Sequence, residues 1–164
     1  MPQDYTTEEW DSIMSCNLRG AFLCAKAAYL SMKKQGGGKI INTGSMTSLL
    51  GNPKVIVYAC SKMGILSMTY SLALAWVTDN IRVNAILPGW IETPQTKNVR
   101  IAFPNVDRFI KERVPMGRWG KPADFAGAVI FLASKASDFI TAEYIRVDGG
   151  FAQGTNNPEP YNTV

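Results

Sequence analysis

Three short apolar runs, separated by long stretches of helical periodicity, constrain this chain more than any other feature. Lys39-Ile40-Ile41-Asn42-Thr43-Gly44, Ile81-Arg82-Val83-Asn84-Ala85-Ile86-Leu87 and Tyr144-Ile145-Arg146-Val147 each read as a strand. The segments between them are too long for hairpins and carry helical stripes. The strands must therefore lie parallel, in a sheet covered by helices.

The helices announce themselves by their ends. Thr6-Thr7-Glu8-Glu9 is a capping box, a hydroxyl followed three residues on by a carboxylate. Behind it Trp10, Ile13, Met14, Leu18, Ala21, Phe22, Ala25, Ala28, Tyr29 and Met32 form a 3.6-residue stripe that stops at Gly36-Gly37-Gly38. The pattern predicts a helix over residues 7–34, and a second over 56–78 that turns at Asp79-Asn80. Residues 90–120 read as irregular, with a short helix near 106–114. Pro122 suits the first turn of a helix carrying Phe125, Ala126, Val129, Ile130, Leu132 and Ala133. The Asn- and Pro-rich tail over residues 152–164 is expected to be loose.

Composition removes several chemistries. The chain has 164 residues, the length of one domain, and no histidine. A Ser-His-Asp or Cys-His nucleophile cannot be built, nor a His-ligated zinc site, and no metal site is expected. Acid–base work falls to Tyr, Lys, Asp, Glu or Cys. The net charge of +4 comes from scattered basic residues, without the stripe and stacking aromatics of a nucleic-acid surface. Cys16, Cys24 and Cys60 are odd in number and form no CxxC pair, so they read as reduced, core-filling thiols. No apolar run has the length of a membrane span, and the first residues lack an export signal. A cytoplasmic location without membrane partners is the expectation.

Tyr58 and Lys62 stand four apart near the start of a predicted helix and so share a face. A nearby ammonium favours a tyrosinate, which makes the pair an acid–base device. Ser45 follows the first strand at its carboxyl end, where ligands of open α/β sheets bind. Asn17 is a polar residue on the apolar stripe. It reads either as a helix-packing amide or as the mark of a helix irregularity that frees backbone groups for a water. Pro88-Gly89-Trp90-Ile91-Glu92-Thr93 follows the second strand.

Together these residues resemble the short-chain dehydrogenase/reductase family. Its pattern is an Asn on a long helix, a Ser ending the next strand, and Tyr-x-x-x-Lys on the helix after it. Asn17, Ser45, Tyr58 and Lys62 match in order and spacing. Pro88-Gly-x-Ile-x-Thr93, Gly117-Arg118-Trp119-Gly120-Lys121-Pro122 and Val147-Asp148-Gly149-Gly150 are similar to its later segments. The match covers about residues 4–151. Gly-Arg-Trp-Gly looks most like gluconate and 2-deoxygluconate dehydrogenases.

The resemblance implies a Rossmann-like, doubly wound α/β fold and an NAD- or NADP-dependent oxidoreductase. Hydride would pass between the cofactor and a secondary alcohol or ketone, with a sugar or sugar acid as candidate substrate. Asn17, Ser45, Tyr58 and Lys62 would be catalytic. Ser45 would hydrogen-bond the substrate oxygen, and Tyr58 would move its proton. Lys62 would lower the tyrosine pKa and hold ribose hydroxyls, while Asn17 would hold a water through its main chain. Tyr58, Lys62, Pro88, Gly89, Ile91 and Thr93 would contact cofactor; Ser45, Met46, Trp90 and Gln95 would contact substrate. Pairing of the two long helices across subunits would give a homodimer or homotetramer.

One departure stands out. The family's glycine-rich turn after its first strand is absent, since Gly36-Gly37-Gly38 lies between a helix and a strand. The chain therefore reads as a single partial Rossmann-like domain, the carboxyl-terminal half alone. The alternative is a non-catalytic remnant that keeps only the oligomerisation helices.

Overall fold

The Thr6 hydroxyl accepts from the Glu9 amide at 3.1 Å, and the Glu9 carboxylate accepts from the Thr6 amide at 2.9 Å. This closed capping box starts helix α1 (Thr7–Met14) in the computed structural model, which describes residues 1–154. Residues 155–164 of the expected tail lie outside the described residues. α1 continues through a π-helical turn, Ser15–Arg19, into α2 (Gly20–Lys34), so the predicted helix keeps both of its ends. Gly36, at φ 87°, reverses the chain with a left-handed backbone that glycine adopts without strain.

Strand β1 (Gly38–Thr43) follows, then α3 (Ile56–Trp76), β2 (Ile81–Pro88), α4 (Pro94–Ala102), α5 (Val106–Arg113), α6 (Ala126–Ala133) and β3 (Tyr144–Val147). All pairings are parallel, in the order β1-β2-β3. Thr43 sits opposite Ile86, and Pro88 opposite Val147, which brings the carboxyl ends of the strands to one side of the sheet. The expected α/β architecture is present.

Alternation along central β2 sorts its residues between faces. Ile81 and Val83 pack with Ala25, Leu72 and Ala73, while Ala85 and Leu87 pack with Met46 and Leu66. On the other face Asn84 is only 1% exposed. Its amide donates to the Ile140 carbonyl at 3.0 Å and accepts from the Glu143 amide at 3.1 Å. Between those two, Ala142 takes φ 60°, a left-handed conformation that costs a residue with a Cβ.

Residues 90–120 are more ordered than the sequence suggested. α4 was not expected there, because its stripe is weak. Its start is nevertheless set by Thr93, whose hydroxyl accepts from the Thr96 amide, and by Pro94 in the first turn. A separate cluster of Val106, Ile110, Val114 and Trp119 holds this segment together. Pro122 opens a 3-10 turn, Pro122–Phe125, that leads into α6. Cys16, Cys24 and Cys60 are free, but all three are exposed. They do not fill the core, because they occupy helix faces that no other described element covers. No helix among the described residues is long and apolar enough to cross a membrane, and no cluster of His, Cys, Asp and Glu among them is placed to hold a metal ion.

Candidate active site

β1 ends at Thr43, and the chain turns through Gly44 into a short 3-10 turn, Met46–Ser48, capped by Ser45. The Ser45 hydroxyl oxygen accepts the Thr47 amide at 3.2 Å. With a lone pair committed to the backbone, the hydroxyl proton is left to donate outward. Ser45 is 9% exposed, so an oxygen seated against it is largely shielded from water, where a hydrogen bond is worth more.

Tyr58 and Lys62 lie near the amino end of α3, on the face the spacing predicts. The Lys62 ammonium stands 5.7 Å from the Tyr58 ring centroid and donates to the Thr43 carbonyl at 3.0 Å. Burial holds the Lys62 pKa below its ordinary value, opposed in part by the nearby Cys16 thiol. An ammonium that has lost water in this way seeks polar partners, and the Thr43 carbonyl supplies one of them.

Asn17 occupies the middle of the π-helical turn. There the Gly20 amide reaches back five residues, to the Ser15 carbonyl. Of the two readings of Asn17, the helix irregularity is therefore present, and the packing role accompanies it. The Asn17 side-chain amide donates to the Ser61 hydroxyl at 3.1 Å, and that hydroxyl donates to the Tyr58 carbonyl at 2.7 Å. With its side chain so engaged, Asn17 has its main chain left for any other contact.

The second strand end contributes Pro88, Gly89, Ile91 and Thr93. The Gly89 amide donates to the Val147 carbonyl at 3.0 Å, and a Cβ on Gly89 would lie 2.7 Å from the Asp148 Cα. Only glycine permits that approach. Ile91 is buried and pairs with Gly120 in a parallel bridge. Thr93 is exposed and caps α4.

The expected substrate contacts are not gathered in one place. Met46 is 4% exposed and packs into the core beside Leu66 and Leu87. Trp90 meets Trp119 and Phe109 edge to face, with ring centroids 5.7 and 5.9 Å apart. It also lines a cavity of about 360 Å³ with Ile91, Arg118 and Asp148. None of Asn17, Ser45, Tyr58 or Lys62 borders that cavity. Gln95 is exposed in the first turn of α4.

Sequence reasoning missed two buried hydroxyls. Ser61 bridges Asn17 to the Tyr58 backbone, and Ser48 donates to the Lys62 carbonyl at 2.7 Å while accepting the Ser45 amide at 3.2 Å. The Ser45-x-x-Ser48 spacing is a capping-box signal that would have pointed to the second.

A family model described as enoyl-(acyl carrier protein) reductase matches residues 2–152. The chain belongs to the short-chain dehydrogenase/reductase family. It is 41% identical over 149 residues to the 2-dehydro-3-deoxy-D-gluconate 5-dehydrogenase of Escherichia coli, a match covering 90% of this chain and 58% of that protein. It is 40% identical to a 3-oxoacyl-(acyl-carrier-protein) reductase of Thermotoga maritima over 87% of this chain and 57% of that one. Among solved structures, a gluconate 5-dehydrogenase from Burkholderia cenocepacia, in complex with NADP and tartrate, superposes with a TM-score of 0.87 at 34% identity. That match covers 92% of this chain and 58% of the other. The chain thus spans less than two thirds of the length of these relatives.

The residues fit one end of a dinucleotide. A desolvated ammonium at Lys62, the adjacent Tyr58 and the strand-end backbone at Pro88 and Gly89 suit a nicotinamide and its ribose. The helix starts after β1 and β2 carry no glycine-rich turn to cradle a pyrophosphate.

Proposed function

We propose that this chain carries the catalytic part of an NAD- or NADP-dependent oxidoreductase acting on a secondary alcohol or ketone. The observation that carries the reading is the partly buried Lys62 ammonium 5.7 Å from the Tyr58 ring, at the strand end that bears Ser45. When bound, the nicotinamide supplies or accepts the hydride. The remaining work belongs to the chain. Ser45, its oxygen pinned by the Thr47 amide, donates to the substrate oxygen and stabilises the charge that develops there. Tyr58 passes the proton to or from that oxygen. Lys62 places a positive charge beside the phenol and holds ribose hydroxyls. Asn17 contributes a water-holding main chain, while Ile91 and Thr93 orient the nicotinamide carboxamide.

The names of several relatives support a sugar acid as the substrate class. We read the chain as one partial Rossmann-like unit that assembles as a homodimer or homotetramer. Phe22, Leu23 and Leu30 on α2, and Met63 and Leu74 on α3, are exposed and support such pairing. The three free thiols suit a reducing, cytoplasmic setting.

Titration with NADH and NADPH, followed by cofactor fluorescence, tests the reading. Saturable binding and a rate with a keto sugar acid that Tyr58→Phe abolishes are the expected results. A folded chain that binds neither cofactor refutes it and favours the non-catalytic remnant.

A further inference from the structure

We propose that Ser48 is a positioning residue, a buried hydroxyl that locks the Ser45 turn onto the helix carrying Tyr58 and Lys62. The inference rests on the oxidoreductase reading of those three residues. Ser48 is 0% exposed. A hydroxyl has one proton and two lone pairs, and both kinds of bond are in use here. The proton goes to the Lys62 carbonyl at 2.7 Å, and a lone pair takes the Ser45 amide at 3.2 Å. One side chain therefore joins the backbones of two reacting residues that come from different elements.

The link is reciprocal. Ser45 and Ser48 form a capping box around the Met46–Ser48 turn, and the Ser48 amide donates to the Ser45 carbonyl at 2.9 Å. The Ser45 amide, the Ser45 carbonyl and the Ser45 hydroxyl oxygen are all held from within this turn. Ser48 connects that arrangement to the α3 backbone through a side-chain hydroxyl bond at Lys62. The bond acts on the carbonyl of Lys62, leaving its ammonium free to meet Thr43 and the cofactor. Fully buried and bonded on both sides to backbone, Ser48 acts through its neighbours: it fixes where the Ser45 hydroxyl stands relative to the Tyr58 phenol. Misplacement of a reacting group by about 1 Å is enough to cost about a hundredfold in rate.

The test uses the full chain and two readouts. Ser48→Ala removes both bonds, and Ser48→Cys, nearly isosteric but a weak donor, serves if the alanine variant fails to fold. Ser48→Thr keeps the hydroxyl. Hydrogen exchange at the Ser45 amide should accelerate about tenfold in the Ala or Cys variant, with the Val83 amide of central β2 unchanged. In the same variant kcat should fall about tenfold with the cofactor KM within about twofold, and Ser48→Thr should restore both. Unchanged Ser45 exchange overturns the proposal, as does an unchanged kcat or an equal loss in Ser48→Thr. A wild-type chain with no turnover at all refutes the oxidoreductase reading instead. Ser45 exchange then decides by itself whether Ser48 holds the turn.

Discussion

Asn84 offers the most direct test of how the central strand is tied to the rest of the chain. Its side chain is 1% exposed and makes two hydrogen bonds to backbone groups of the 140–143 loop. Asn84→Ala removes both partners at once and leaves the Ile140 carbonyl and the Glu143 amide without them. An orphaned buried group costs about 1–3 kcal/mol, so two place the loss at about 2–6 kcal/mol. With a urea slope of about 2 kcal/mol/M, the unfolding midpoint should fall by about 1–3 M. Asn84→Leu separates the polar loss from the void, because it keeps the bulk and still strands both groups. Equilibrium urea unfolding of the three proteins, followed by tryptophan fluorescence, measures the difference. A Leu variant within about 0.5 kcal/mol of wild type would refute the reasoning, since it would show that water satisfies both groups.

Three further outcomes follow from the same structure. Ala142→Gly relieves a left-handed backbone worth about 1–2 kcal/mol, offset by about 0.5–1 kcal/mol of added chain entropy. The melting temperature should rise by about 1–4 °C, and a fall would contradict the strain. Lys62→Met should be more stable than wild type at pH 7 while losing activity, because burial lowers the Lys62 pKa and penalises its charged form in the fold. Between the folded pKa and 10.5 the unfolded chain holds the extra proton, so wild-type stability should climb with pH toward that of the variant. Denaturation at pH 7 and pH 10 should show the gap narrowing; a constant gap would be contrary. Asp124 is held at a pKa of about 2 by the Arg118 guanidinium and the Lys121 amide. Its carboxyl resonance should titrate near that value, and its contribution to the 118–124 turn should be full above about pH 4 and be lost as the pH falls from 3.8 through about 2. A midpoint near 4 would remove the proposed pairing.

Much of the fold was legible because its signals are local. The Thr6–Glu9 capping box and the Gly36 reversal bound the first helix without tertiary information, and Asp79-Asn80 marked the turn into β2. Tyr58 and Lys62 were legible for the same reason, since helical spacing alone puts them on one face. Asn17 stood out as a polar interruption of an apolar stripe, and the π-helical turn sits at that residue. What was not legible depends on which faces the fold covers. Cys24 and Cys60 lie within helices where inside and outside are set by packing. Met46 follows Ser45 directly, yet a single 3-10 turn sends it into the core. α4 has too few apolar positions to show a stripe, so only its Thr93-Pro94 start could have revealed it. Ser48 escaped notice because a serine is unremarkable until its two partners are known.

The parallel order of the sheet also sets a timetable for making it. Thr43 pairs with Ile86, and Pro88 with Val147, so the two pairings close loops of about 40 and about 60 residues, each slow to form compared with a hairpin. At about 5–20 residues per second, seconds pass during synthesis between the emergence of β1 and that of β2, and again before β3 arrives. Throughout that interval Ile40 and Ile41 lack their β2 partners, Val83 and Asn84. The molecule is thus most exposed to mispairing while it is being built, and a chaperone that holds the nascent chain should raise its yield more than cooling the finished protein.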